Sequence, residues 1–313
     1  MLFIAGLETL PREEAVKLVA QLNVFNTATL LRCGCADFVG KVKGFFGTLP
    51  LLGRYPIVGT PIGAATNRPL SEVEKTIELA QKELELLPDA EIQSRLRRHL
   101  VDLAELPSGR NTTAVACAVV LRAAKSFKID STTHASPLTL ENAVFEACVR
   151  DLVDQIKATL AKVSSGNADR LEALLREELS RISAADADAI RKATGIEELS
   201  AKALLSFLKT SSSTAIASLV VGSLGFAPFL ALTTAMKAIT LLIGVTLPFA
   251  TYTAASSTLA FLLSGPFLLA VLAVIGSVGW KRSDSAIRDQ LVRLVILVGR
   301  ANTLGKGVPA LNA

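Results

Sequence analysis

At 313 residues and 33.0 kDa the chain is long enough for one large or two ordinary domains with a sizeable core. Half of its residues are hydrophobic, 5% are aromatic and 19% charged, which excludes disorder, a collagen-like repeat and a disulfide scaffold and leaves a helical protein. The net charge of +5 lies wholly between Thr210 and Ala313, where basic residues flank an apolar block instead of lining a face with aromatics, an arrangement that argues against nucleic acid as a partner.

MLFIAGLETLPREE has no basic n-region, long apolar run or small-residue cleavage pattern, so synthesis in the cytosol without a signal peptide is expected. The first helix is expected over about 11–24. Pro11 suits a first turn, Glu13 and Glu14 sit at its positive end, and Val16, Leu18, Val19 and Leu22 form a stripe. Beyond it, 38–65 is punctuated by Gly40, Gly44, Gly47, Gly53, Gly59 and Gly63 and by Pro50, Pro56 and Pro61, a pattern that opposes regular helix. Lys41, Lys43 and Arg54, with no acid after Asp37, leave two readings of this loop: packed on the helical body, or touching a membrane. Residues 1–70 are thus read as an N-terminal helix and a Gly/Pro-rich loop.

Residues 71–209 read as a charged amphipathic helical domain. Ser71 and Glu74 make an S-x-x-E capping box for a helix that ends at Pro88. Asp89 is expected to cap the next helix, whose Ile92, Leu96, Leu100 and Leu103 share one face before Pro107-Ser108-Gly109 stops it. Further helices are expected at about 111–129, 139–163, 167–182, 183–194 and 196–209, with no competing strand pattern. Glu172 with Arg176 and Glu177 with Arg181 stand at i,i+4 spacing on what reads as a solvated face. Cys33, Cys35, Cys117 and Cys148 read as reduced thiols, the last two on apolar helix faces. His99 and His134 read as ordinary solvated histidines.

The next block, 210–280, is different in kind. Apart from Tyr252 its one ionisable side chain is Lys237, and 238–280 has no formal charge. Breaks at Gly225 to Pro228, Leu247-Pro248 and Ser264-Gly265-Pro266 divide it into helices near 206–224, 228–247, 248–264 and 266–280. Their lengths fall just short of the roughly 20 residues that a hydrocarbon core of about 30 Å requires. The candidate membrane-inserting residues are Leu230, Leu241, Leu242, Phe249, Leu259, Phe261, Leu262, Phe267, Leu268, Leu269, Val271, Leu272 and Ile275, in apolar helical hairpins. Lys237, Trp280, Lys281 and Arg282 are candidate interfacial anchors, since amphipathic side chains and basic groups settle at headgroup level. With Lys202 and Lys209 before the block and Lys281, Arg282 and Arg288 after it, both flanks would stay on one side, so an even number of spans is expected. The remainder, 281–313, is a basic amphipathic helix and tail: Ile287, Leu291, Leu294, Val295 and Val298 lie on one face and Arg288, Asp289, Arg293 and Arg300 largely on another. It suits either a lid on a core or a membrane surface.

Two resemblances follow from these residues. TLPFATYTAASSTLAFLLSGPFLLAVLAVIGSVGW with its amphipathic tail, together with LRAAKSFKI at 121–129 after Ser108-Gly109-Arg110-Asn111-Thr112, resembles the YaaW-type family of bacterial proteins. That resemblance implies a helical bacterial protein and supplies no catalytic residue. The uncharged stretch attached to charged helices is similar in arrangement to colicin-type pore-forming domains, which implies a bundle that shields apolar arms until they meet lipid.

Enzyme motifs do not assemble. Ser206 to Lys209 matches S-x-x-K without its supporting elements, Gly299 to Lys306 lacks the spacing of a phosphate loop, and two His and four Cys show no metal-ligand spacing. The expectation is an all-α, non-enzymatic, pore-forming bacterial toxin, secreted effector or defence protein without cofactors or metal, acting at the inner membrane. Its expected partners are a lipid bilayer, a neutralising or immunity protein and further copies of itself. The alternatives are a resident inner-membrane protein with a cytosolic helical domain and a soluble helical scaffold or assembly factor.

Overall fold

The computed structural model describes residues 1–25, 75–161, 163, 165–222, 226–242 and 283–306. Among them every regular element is helical, so the chain is an all-α multi-helix bundle, the class its periodicity predicts. The local capping chemistry explains most boundaries. Pro11 precedes helix α2 (Arg12–Val24); a helix over 75–85, α3, is followed by α4 (Asp89–Leu103). Pro88, with its extended ψ of 155°, occupies the cap that the sequence assigns to Asp89. Asp89 is the first helical residue instead, and its carboxylate pairs with Arg12. Ser71 and Glu74 lie outside the described residues.

Helix α5 (Thr112–Ser126) starts where the Asn111 side chain accepts the Ala114 N–H at 2.8 Å. After a short 3-10 turn (Ser131–Thr133), Ser136 and Thr139 form a reciprocal capping box that opens α6 (Pro137–Leu160) slightly earlier than its apolar pattern suggests. Then come α7 (Ser165–Ser180) and α8 (Ala184–Thr194), the latter capped by Ser183 and ended by Gly195 in the left-handed conformation at φ 69°. Helix α9 (Ala201–Thr210) begins at the Ser200 cap, later than expected. A single helix across 206–224 is not what forms. The run Thr210-Ser211-Ser212-Ser213 breaks it, because the Ser212 hydroxyl accepts the Ala215 N–H and starts α10 (Ser213–Val221). Helices α11 (Phe226–Leu242) and α12 (Ser283–Gly305) complete the described chain.

The sequence also hides a helix. Residues Leu2–Glu8 form α1, which is too short to be stable by itself and lacks a side-chain cap of its own. Its partners hold it. Gly6 and Gly299 bring α1 and α12 into backbone contact: a Cβ on Gly299 would stand 2.2 Å from the Phe3 carbonyl oxygen, and one on Gly6 would stand 1.8 Å from that of Gly299. Asn302 Nδ2 then donates to the Gly6 carbonyl at 2.7 Å and Thr303 Oγ1 to that of Leu2 at 3.1 Å.

Two helices occupy the centre. Helix α11 packs against α6, α7, α8, α9, α10 and α12, while α12 packs against α1, α4, α5 and α6 as well. Buried side chains from both halves of the chain join one cluster. The C-terminal helix therefore resolves in favour of the core: Leu291, Val292, Leu294 to Val298, Arg300, Ala301 and Leu304 are all buried, so it encloses side chains on more than the one face its pattern displays. Each fully buried Leu, Val or Ile there contributes about 1.5 to 3 kcal/mol before ordering entropy is subtracted.

Candidate functional site

Four of the residues singled out for membrane contact or anchoring fall within the described structure, all on α11. Leu230 and Leu242 are buried in the bundle, Leu241 is half-buried, and Lys237 reaches the rim. Phe249, Leu259, Phe261, Leu262, Phe267, Leu268, Leu269, Val271, Leu272, Ile275, Trp280, Lys281 and Arg282 lie outside the described residues. Among the described residues no single helix is long and apolar enough to cross a membrane; α9 and α10 together have the length and composition, but they meet at 110°.

Helix α11 hides its own polarity. Thr233 Oγ1 donates to the Phe229 and Leu230 carbonyls at 3.1 and 3.0 Å, and Thr234 Oγ1 donates to that of Leu230 at 2.8 Å. Both hydroxyls are thus satisfied within the helix, whether its neighbours are side chains or acyl chains. Phe229 meets Phe145 of α6 with ring centroids 6.2 Å apart and planes tilted by 52°. The charge at Lys237 is handled by a neighbour. Its Nζ lies 2.5 Å from Glu178 Oε2, and Glu178 Oε1 also accepts at 2.7 Å from Nη1 of Arg181, just past the end of α7. Glu178 is 5% exposed and Lys237 38%, so the pair straddles the boundary between core and water.

A second polar locus is enclosed. Glu141 of α6 is 0% exposed and accepts the Phe3 N–H at 2.8 Å and the Leu2 N–H at 3.0 Å, supplying α1 with the cap that its own sequence lacks. Arg300 of α12, 1% exposed, faces the same carboxylate at 3.4 Å and lies over the Phe145 ring at 4.9 Å. Burial pushes the Glu141 carboxyl above the usual range and the Arg300 guanidinium below its own, each opposed by the charge of the other. Among the described residues Arg300 Nε and Nη2 find no hydrogen-bond partner. Around the start of α12, Arg122 pairs with Glu105 and Asp289 at 2.7 and 3.0 Å and Arg288 reaches Glu105 at 3.1 Å, which fixes the helix against α4 and α5.

Of the remaining candidates, Cys33 and Cys35 lie outside the described residues. Burial pushes the Cys148 thiol up to about 12, which removes it as a nucleophile, while Cys117 is half-buried. His99 lies 2.8 Å from Asn23 Oδ1 and joins α4 to α2, with burial lowering its affinity for a proton. Among the described residues no group of three His, Cys, Asp or Glu side chains is placed to hold a metal. Glu172–Arg176 and Glu177–Arg181 form the expected surface pairs, both with exposed arginines.

Glu178, Glu141 and Arg300 are the residues that sequence reasoning missed, since each reads as solvated. A signal existed for two of them. Glu178 continues the buried series Leu171 and Leu175 at i, i+4, i+7, and Glu141 opens the series completed by Phe145 and Cys148. Comparison of the chain with protein-family models, curated proteins and solved structures finds no match in any of the three.

Proposed function

We propose that this chain is a membrane-inserting protein that permeabilises a bilayer, with the helical body shielding apolar helices in water and exchanging them for lipid at the target. The observation that carries this reading is the seat of α11. Its Thr233 and Thr234 hydroxyls are satisfied within the helix, and its Lys237 is paired at the rim with a carboxylate of the charged body. Immediately after it the sequence runs from 243 to 280 without a formal charge.

The energetics favour insertion as a unit. A lysine at the centre of a span costs about 2.5 to 3.5 kcal/mol, and strongly apolar residues return about 0.3 to 0.6 each. Phe226, Phe229, Leu230, Leu232, Ile239, Leu241 and Leu242 together offset the Lys237 penalty without exceeding it by much. On this scale the insertion of α11 alone is close to neutral, and the uncharged sequence beyond it adds to the favourable side. The experiment is dye release from anionic liposomes by the purified protein, with Ala260→Asp and Leu269→Asp as variants. Release by the parent and its loss in both variants is the expected result; a parent that ignores vesicles, or variants that leak as well as the parent, overturns the proposal.

A second reading, a helical scaffold that never leaves water, is favoured by the burial of α12 on most sides and by the packing of α11 against six helices. Fractionation separates this form from a resident membrane protein, and the liposome assay separates it from a pore.

A further inference from the structure

We propose that the Glu178–Lys237 pair is the latch that holds α11 in the helical body, and that opening this pair is the step that delivers the apolar segment to lipid. This rests on the membrane reading above for its second half only. Four observations converge on it. Lys237 is the sole Lys or Arg between Thr210 and Trp280, so the entire apolar block carries one cationic handle. That handle meets a nearly buried carboxylate of the charged body, on the helix that lies along α11. The Lys237 side chain is also partly in water, where the phosphate of an anionic headgroup can compete with Glu178 for its charge. Glu178 keeps a partner when Lys237 leaves, because Arg181 Nη1 already donates to it at 2.7 Å.

The last point distinguishes this pair from an ordinary buried ion pair. Opening Glu141–Arg300 would leave a guanidinium enclosed with no carboxylate, the expensive way to break a buried pair. Opening Glu178–Lys237 leaves the acid paired with Arg181, and the ammonium can move outward on a flexible stem. The Thr233 and Thr234 hydroxyls likewise keep their bonds as α11 departs, because they lie within the helix.

Hydrogen exchange on the full-length protein without lipid tests the latch directly. Glu178→Gln and Lys237→Met are each expected to speed amide exchange in 226–242 by about fivefold or more while exchange in 137–160 holds, since a lost local tie lowers local rather than global stability. Lys237→Arg, which keeps a cation opposite Glu178, is expected to retain the parental protection. Unchanged exchange in α11 of Glu178→Gln and Lys237→Met, or an equal rise in α6 and α11, overturns the latch, and so does a Lys237→Arg variant that exchanges as fast as Lys237→Met. Vesicles of phosphatidylcholine with phosphatidylglycerol then test the delivery step. Both single variants are expected to release dye faster than the parent; release at the parental rate overturns the gating role. If neither parent nor variants release dye, the membrane reading falls and the latch is judged by exchange alone.

Discussion

Helices α11 and α12 are both central and bury many aliphatic side chains, yet the bundle holds them in opposite ways. Helix α12 is fastened through its backbone: glycine against glycine with α1, side chains of Asn302 and Thr303 on α1 carbonyls, and a fully enclosed arginine against Glu141. Helix α11 is fastened by side-chain packing and by the Glu178–Lys237 ion pair at the rim, with the Thr233 and Thr234 hydroxyls turned onto its own carbonyls. Backbone contact and enclosed charge commit a helix to one set of neighbours, whereas greasy packing with a surface-edge charge is indifferent to whether those neighbours are leucines or lipid tails.

Substitutions around the two helices break or sharpen that contrast. The largest effect is expected for Glu141→Ala, which strands the Arg300 charge and uncaps α1. A loss of about 3 to 5 kcal/mol, read from the urea midpoint, is the usual consequence of removing one member of a buried pair. Gly299→Ala comes next, since its new methyl group meets the Phe3 carbonyl and forces α1 away. About 1 to 3 kcal/mol is expected, together with faster proteolysis of the first ten residues. On the other helix, Thr233→Val is expected to change stability by less than about 1 kcal/mol, because it removes a hydroxyl whose bonds are local to α11. A large loss there shows that α11 depends on its polar groups as α12 does, and the contrast fails.

Acid–base behaviour gives a smaller test. Burial raises the Glu14 carboxyl above its ordinary value, with Lys17 opposing. The folded state therefore holds that proton more tightly than the unfolded chain, so the contribution of Glu14 is fully present below about pH 4.5 and declines as pH rises through the raised value. Relative to the parent, Glu14→Gln is expected to gain stability between pH 4.5 and 7 in paired urea titrations. An unchanged difference across that interval contradicts the burial argument. Smallest of all is Arg176→Ala, an exposed i,i+4 partner of Glu172, for which about 0.3 to 0.5 kcal/mol or less is expected.

Much of this architecture is legible residue by residue. Asn111, Ser183 and the apolar stripe of α4 announce their helices because a cap and a 3.6-residue period are local properties. The uncharged run after Lys237 is equally plain. Helix α1 is not, because its stability comes from Glu141, Gly299 and Asn302, residues far along the chain. The hydroxyls at Ser211 and Ser212 mark a break that hydropathy alone passes over, because apolar residues stand on either side.

Sequence by itself determined the helical class, the i,i+4 surface pairs of Glu172 with Arg176 and Glu177 with Arg181, and the contrast between charged and uncharged regions, since each follows from composition and short-range spacing. Only the tertiary structure decided that Arg300 points inward to Glu141 and that Lys237 finds Glu178. A side chain's partner across the bundle depends on which helices come to lie side by side, and that is fixed by the shared burial of surfaces widely separated in the chain.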